Sequence, residues 1–200
     1  QTVTGQLSAT LSTGDRVWAS IDGGANWLDV TGSVDADGRL SWSGVRLNEG
    51  ISSLQFKTTD VSGNTSQVTA QAYRLDTTPP DITVHPIALS ADTGSSASDF
   101  VTRQVVQQVS GQLIENGQPQ TLLPGDRLMA SSDGGSTWQD ITASVRGSTF
   151  SWSGVSLNGG VNGSNSLRFQ VIDAVENRGP ITVQNYRLDT IAPVGPENFA

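Results

Sequence analysis

The sequence predicts an all-β protein of two tandem β-sandwich domains joined by a short Pro-rich linker. Three observations predict it. A set of residue clusters recurs once in the same order, short runs alternate apolar and polar residues, and Gly-, Asn- and Asp-rich turn signals separate those runs. No segment shows sustained helical spacing.

The repeat is the strongest of the three. Gly14-Asp15-Arg16 returns as Gly125-Asp126-Arg127, and Asp22-Gly23-Gly24 with Trp27 returns as Asp133-Gly134-Gly135 with Trp138. Ser41-Trp42-Ser43-Gly44-Val45 returns as Ser151-Trp152-Ser153-Gly154-Val155, Leu54 and Phe56 as Leu167 and Phe169, and Asp60 and Asn64 as Asp173 and Asn177. Tyr73-Arg74-Leu75-Asp76-Thr77 matches Tyr186-Arg187-Leu188-Asp189-Thr190, and each copy then reaches a proline, Pro80 or Pro193. The second copy carries an insertion at 161–166 and a longer loop at 115–124. Residues 82–108 have no full counterpart ahead of the first copy, which opens almost at once on Thr2-Val3-Thr4-Gly5-Gln6-Leu7. The expectation is a complete second repeat, and a first repeat that lacks its opening strand because the sequence starts inside a repeat of a longer protein.

In the second copy the strands are expected in this order. Ile82-Thr83-Val84 comes first and breaks at Pro86, because proline removes a ladder donor. Val105–Leu113, Arg127–Ser131, Trp138–Ile141, Thr149–Ser153, Leu167–Ile172 and Ile181–Leu188 follow. Alternation places Leu167, Phe169 and Val171 inward, with Arg168, Gln170 and Ile172 outward or at an edge. About seven short strands in roughly 110 residues suit an immunoglobulin-like sandwich. Asp76-Thr77-Thr78-Pro79-Pro80 reads as a stiff connector, since proline fixes φ and extends the residue before it. The expected organisation is therefore 1–76, a first repeat without its first strand; 77–80, the linker; 81–189, a complete repeat; and 190–200, the start of the next linker or repeat.

Composition narrows the function. The formal net charge is −8, which disfavours nucleic acid and anionic membrane surfaces as partners. There is no Cys, so disulfide, zinc-thiolate and Cys-nucleophile chemistry are excluded. No leader-like segment and no apolar run near 18 residues occurs, so direct membrane insertion is not expected. The acidic excess is mostly Asp, with 15 Asp among the 19 acidic residues. Asp starts turns, and it is also a short oxygen ligand for Ca²⁺.

Three motifs carry a family resemblance. They are Leu75-Asp76-Thr77-Thr78-Pro79-Pro80 with its echo Leu188-Asp189-Thr190-Ile191-Ala192-Pro193, the run Asp92-Thr93-Gly94-Ser95-Ser96-Ala97-Ser98-Asp99-Phe100-Val101-Thr102, and Asp60-Val61-Ser62-Gly63-Asn64. On these the chain resembles bacterial Ig-like repeats of giant secreted biofilm adhesins, including RTX-type adhesins. The resemblance implies extracellular spacer repeats on a bacterial cell surface. It also implies neighbouring repeats of the same polypeptide as partners and Ca²⁺ as the stiffening ion. Asp173-Ala174-Val175-Glu176-Asn177 departs from the pattern in lacking the usual glycine.

An Ig-like topology gathers loops at two poles. Asp92, Asp99, Asp189 and Asp133 are expected at one pole of the second repeat, where several carboxylates repel unless a cation joins them. Asp173 and Asp126 are expected at the other pole, close to Asp76 and Asp81 of the linker region. The candidate Ca²⁺ ligands are thus Asp92, Asp99, Asp189, Asp76, Asp133 and Asp173. Asp35-Ala36-Asp37-Gly38 reads as a plain turn.

No catalytic function is expected. Ser131-Ser132-Asp133-Gly134-Gly135-Ser136-Thr137-Trp138 looks like the Asp-box of sialidases, in which the box is a structural turn remote from the chemistry. Two copies about 110 residues apart are also too sparse for propeller blades of roughly 40–50 residues. The lone His85 has no partner motif, and Lys57 aligns with Gln170, which counts against an isopeptide cross-link in both copies. The rival function is a carbohydrate-binding module using Trp18, Trp27, Trp42, Trp138 and Trp152 as sugar platforms. Their recurrence at strand positions, with Met129 in place of Trp18, favours core packing instead.

Overall fold

The computed structural model describes residues 1–158 and 163–195. Its regular structure is strand apart from two single-turn 3-10 helices, Thr31–Ser33 and Thr142–Ser144, and it divides into two compact units, Gln1–Thr77 and the remainder from Thr78.

Unit 1 contains β1 (Thr2–Gln6), β2 (Arg16–Ser20), β3 (Leu28–Asp29), β4 (Arg39–Ser43), β5 (Gly50–Thr59) and β6 (Thr69–Leu75). One sheet has only two strands, β1 and β4; the other runs β3-β2-β5-β6. Unit 2 contains β7 (Thr83–Leu89), β8 (Val101–Thr102), β9 (Val106–Glu115), β10 (Gln118–Pro119), β11 (Arg127–Ser131), β12 (Gln139–Asp140), β13 (Val145–Arg146), β14 (Thr149–Ser156), β15 (Gly163–Ile172) and β16 (Arg178–Leu188). Here one sheet runs β10-β9-β14-β13 with β7 on β9, and the other runs β12-β11-β15-β16-β8.

The inner faces of unit 2's sheets meet in one core. Val109, Leu113, Phe150 and Trp152 come from one sheet, and Leu128, Ala130, Leu167, Phe169 and Leu188 from the other. Phe169 sits between Phe150, at 5.2 Å between ring centroids, and Trp152, at 6.4 Å edge-on. Among the described residues sixteen buried apolar side chains form this core, against four in unit 1: Val17, Ala19, Val30 and Leu40. In unit 1 the counterparts Trp42 and Phe56 are only half-buried. Among the described residues β1 pairs with β4, whereas β9 pairs with both β14 and β7.

Several elements differ from the sequence expectation. β7 does not stop at Pro86: it continues to Leu89, and the proline falls inside a register shift between Val84 and Ile87, where the ladder needs no amide from it. Ile172, expected outward or at an edge, is buried, yet it is not part of the core that holds Val171. The strand expected at Trp138–Ile141 is only Gln139–Asp140, and β8 and β10 were not anticipated. Trp152 and, partly, Trp42 join the cores, but Trp18, Trp27 and Trp138 lie half-buried outside them. Val17 and Ala19 point inward, so Trp18 between them faces outward, its Nε1 donating to Thr59 Oγ1 at 2.9 Å. Part of the 161–166 insertion, Val161 and Asn162, and the tail from Pro196 lie outside the described residues.

Candidate functional site

The most elaborated end of unit 2 is the loop between β7 and β8. Buried Gln107 pins its start: Nε2 donates to Ala91 O at 2.9 Å, and Oε1 accepts from Ser90 Oγ at 3.0 Å and Ala91 N at 2.9 Å. Buried Thr102 closes its end by donating from Oγ1 to Ala91 O at 2.7 Å. Within the loop Asp92 Oδ2 accepts from Phe100 N at 2.8 Å, and Asp99 Oδ1 accepts from Val101 N at 3.0 Å. Gly94 lets the backbone close: a Cβ there would lie 3.1 Å from Asp99 Oδ1 and 3.0 Å from Val101 O. The other oxygen of Asp92, Oδ1, is buried and has no hydrogen-bond partner among the described residues.

Asp189 reaches the same end through β8, since its amide donates to Thr102 O at 2.9 Å. Its Oδ1 accepts from Ile191 N at 3.2 Å, and Oδ2 lies 3.7 Å from Arg187 Nη2. Asp99 and Asp133 line one cleft of about 740 Å³, together with Arg168, Arg187, Asn165 and Asn185. The structure thus places Asp92, Asp99, Asp189 and Asp133 at one end of unit 2.

Asp173 lies beyond the far end of β15, in the turn to β16, and Asp76 follows β6 in unit 1. Asp173 holds its own turn: Oδ1 accepts from Val175 N and Asn177 N, and Oδ2 from Asn177 Nδ2. Glu176 takes φ +74° where the first copy has Gly63 at φ +86°, and Arg127 pairs with its carboxylate at 2.6 Å. Asp76 Oδ2 is 3.3 Å from Arg74 Nη2. Among the described residues no three His, Asp or Glu side chains converge to hold a metal.

Asp133 is a turn-holder. Its Oδ2 accepts from Thr137 Oγ1 at 2.6 Å, and its Oδ1 from Thr137 N at 2.9 Å and Ser131 Oγ at 2.7 Å. Gly134 and Gly135 supply the positive φ that the bend requires. These bonds, the Thr137 hydroxyl first, lower the Asp133 carboxyl to about 2. Asp22 repeats the arrangement in unit 1, lowered to about 2 by the Asn26 amides and then Ser20. Asp35 also makes a plain turn, accepting from Asp37 N and Arg39 N.

Sequence reasoning missed three features. Tyr186 ties two loops at this end: its hydroxyl donates to Ser132 O at 2.6 Å and accepts from Asn158 N at 2.8 Å. Tyr73 does the same with Ile21 O and Asn48 N, so the recurring tyrosine was the available signal. Burial raises the Tyr186 phenol above its usual value. The other two features, the Gln107 node and the arginines of the cleft, depend on strand register and carry no sequence signature.

The chain matches no known family, and no curated protein matches it in sequence. Among solved structures it is similar to a tetra-tandem repeat from the extending region of a large adhesion protein (18% identity, TM-score 0.36, covering 94% of this chain and 45% of that one). It is also similar to the FN1–FN3 domains of chicken CNTN1 (10% identity, TM-score 0.41, covering 94% of this chain and 62% of that one). The chain therefore spans less than two-thirds of either structure.

Proposed function

We propose that the two units are spacer repeats of a bacterial cell-surface adhesin, stiffened by Ca²⁺ and carrying an adhesive region away from the cell. The observation that carries this reading is the duplication of a structural framework. The Asp-Gly-Gly turn, the tyrosine tie and the Asp–Asn turn before the last strand occur in both units. A repeated framework joined by a short proline linker suits a mechanical role, in which each unit adds length.

For Ca²⁺, the chemistry of Asp92 supports the reading. A carboxylate oxygen that is buried and unpartnered is costly, and a hard cation with oxygen ligands would satisfy it. Asp92 would hold the ion with nearby carbonyls and, from the same end, Asp99 and Asp189. Asp133 and Asp173 serve their turns, and Asp76 belongs to the junction residues. Bound Ca²⁺ would favour the state it binds.

The test is a thermal melt with small-angle scattering in Ca²⁺ and in EDTA. At one hundred times its Kd an ion adds about 2.7 kcal/mol, so chelation lowers the midpoint by roughly 10 °C and broadens or shortens the particle. Asp92→Asn removes the difference. Identical melts and scattering in both conditions refute the calcium reading.

A second reading, carbohydrate binding, is favoured by one observation: Trp18 and Trp27 are half-exposed on the outer face of unit 1's larger sheet. Lys57 Nζ stands 4.2 Å from the centroid of the Trp27 ring and occupies one of its faces. A glycan array with quenching of tryptophan emission separates the readings, since a spacer retains no glycan.

A further inference from the structure

We propose that the polar cleft of unit 2 binds an acidic saccharide, a chain bearing uronic-acid residues, with Arg168 holding its carboxylate. This gives unit 2 a recognition role beyond that of a spacer. It rests neither on the calcium reading nor on Trp18 and Trp27 of unit 1.

The cleft lies on the outer face of β15 and β16. Leu167 and Phe169 are buried in the core, so Ser164, Ser166 and Arg168 alternate to the outer face of β15. The register sets Arg187 opposite Ser164 and Asn185 opposite Ser166. The turn that holds Asp133 and the loop that holds Asp99 complete the walls. The volume of about 740 Å³ falls within the range of roughly 300–1,000 Å³ that small-ligand sites occupy.

Some of these groups already serve the framework. Asn165 donates from Nδ2 to Asn158 O at 2.6 Å and accepts on Oδ1 from Ser166 N at 2.8 Å. Asp133 is taken up by its turn and Tyr186 by the loop tie. Arg168 is not so engaged. Among the described residues it donates only a long 3.4 Å bond from Nε to Ser166 Oγ, and no carboxylate pairs with it. Gly135 lets it lie along the turn, since a Cβ there would come 3.2 Å from Arg168 Nη1 and 3.3 Å from its Cδ. Ser164, Asn185 and Asp99 are exposed, and Asp99 spends only Oδ1, on Val101 N. Unit 1 shows that the framework does not require these side chains. With Leu54 and Phe56 matching Leu167 and Phe169, Gln55 stands for Arg168, Ile51 for Ser164 and Ala72 for Asn185. Gln55 makes the same bond as Arg168, from Nε2 to Ser53 Oγ at 3.2 Å, without the charge.

The chemistry of these groups selects the ligand. A guanidinium presents a fork of N–H donors that matches the two oxygens of a carboxylate. Asn185 and Ser164 both donate and accept, and Asp99 only accepts, which suits the hydroxyls of a sugar ring. Sulfate carries no donor for Asp99 and is repelled by it and by Asp133. A neutral sugar leaves the guanidinium unused, and Tyr186, the aromatic residue of the lining, is buried and offers no face for stacking. An extended peptide adds to an open strand edge, whereas the backbones of β15 and β16 are paired with each other beneath the cleft. The net charge of −8 opposes an anion at long range, so the attraction comes from contact with Arg168 and with Arg187, whose Nη2 lies 3.7 Å from Asp189.

The test titrates the whole chain, in EDTA, with short oligomers of galacturonic acid and of glucuronic acid. Calorimetry gives the affinity, and amide chemical shifts locate the ligand. At least one of the two oligomers is expected to bind and to move the amides of Gly134, Ser164 and Asn185. Neutral galactose and glucose oligomers of equal length bind about tenfold more weakly or worse. Arg168→Gln, which copies position 55 of unit 1, weakens uronate binding by about tenfold or more and leaves the melting midpoint unchanged. Absence of binding by both uronic-acid oligomers overturns the proposal. So do equal affinity in Arg168→Gln and shifts confined to Trp18 and Trp27. Displacement by sulfate or by an acidic peptide at equal concentration also overturns it, since the site then reads charge alone. Each failure leaves the calcium reading standing, because the titration is made without the ion.

Discussion

Substituting alanine at two equivalent glycines should have opposite consequences in the two units. At Gly111 the new Cβ would lie 2.7 Å from Phe150 Cε1, 2.9 Å from Phe150 Cζ and 2.9 Å from Val84 Cγ1. Phe150 is itself held against Phe169, and Val84 belongs to a paired strand, so neither moves freely. Overpacking of this kind costs about 1–3 kcal/mol. At roughly 4 °C per kcal/mol for a domain of this size, the midpoint of unit 2 falls by about 4–12 °C. At Gly5 the contact is an ordinary 3.8 Å, and Gly→Ala in a strand removes backbone entropy from the unfolded chain, so Gly5→Ala should be neutral or stabilising by about 0.5 kcal/mol. The assay is urea unfolding of both variants followed by tryptophan emission and by amide exchange at Leu113 and Leu7, which report one unit each. Equal effects at both sites would refute the reasoning, because they would mean that the edge of β1 is as closed as that of β9.

Further outcomes are expected. Tyr186→Phe removes hydrogen bonds to Ser132 O and from Asn158 N and should cost about 1–3 kcal/mol, read by denaturant unfolding. Gln107→Ala leaves Ala91 O and Gln104 O without their amide donor and should cost about 2–4 kcal/mol, with faster exchange in the β7–β8 loop. Asp22 and Asp133 have folded values near 2, below the unfolded one, so their stabilisation is complete above the unfolded value near 3.8 and is lost as pH falls through about 2. Asp22→Ala with Asp133→Ala should therefore flatten the midpoint-against-pH curve between pH 4 and 2.

What could be read from the sequence follows from what is local. Period-2 alternation identified Leu167, Phe169 and Val171 as core, and the recurring clusters identified turns and ties that both units share, because both signals reside in neighbouring or repeated residues. The burial of Ile172 outside that core could not be read from alternation, because it depends on residues distant in sequence. β8, two residues long, exists only because Val101 and Thr102 lie parallel to Arg187 and Leu188, a pairing across the fold. Tryptophans at strand positions looked like core, yet Trp18 falls on the outer parity of β2, and Trp27 lies just ahead of β3. At the candidate site the proximity of Asp92, Asp99, Asp133 and Asp189 could be anticipated from loop polarity. The environment of each carboxylate could not, since it depends on which amides the loop turns toward it.

The same distinction separates the carboxylates that a cation could serve from those that turns already satisfy. An excess of Asp invites a metal reading, but most of these carboxylates already have donors. Asp22, Asp60, Asp133 and Asp173 each bind the backbone amide of the residue four positions on, and Asp29 and Asp140 each bind a threonine two positions on. Hydrogen bonds of this kind stabilise the charged form without any ion. Their acidity explains turns, and the low values of Asp22 and Asp133 are the signature of that local bonding. Asp92 differs because one of its oxygens is satisfied by Phe100 N while the other is buried without a donor among the described residues. If calcium stiffens this chain it does so through Asp92 and the loop around it, and neither the net charge nor the number of acidic residues strengthens the case.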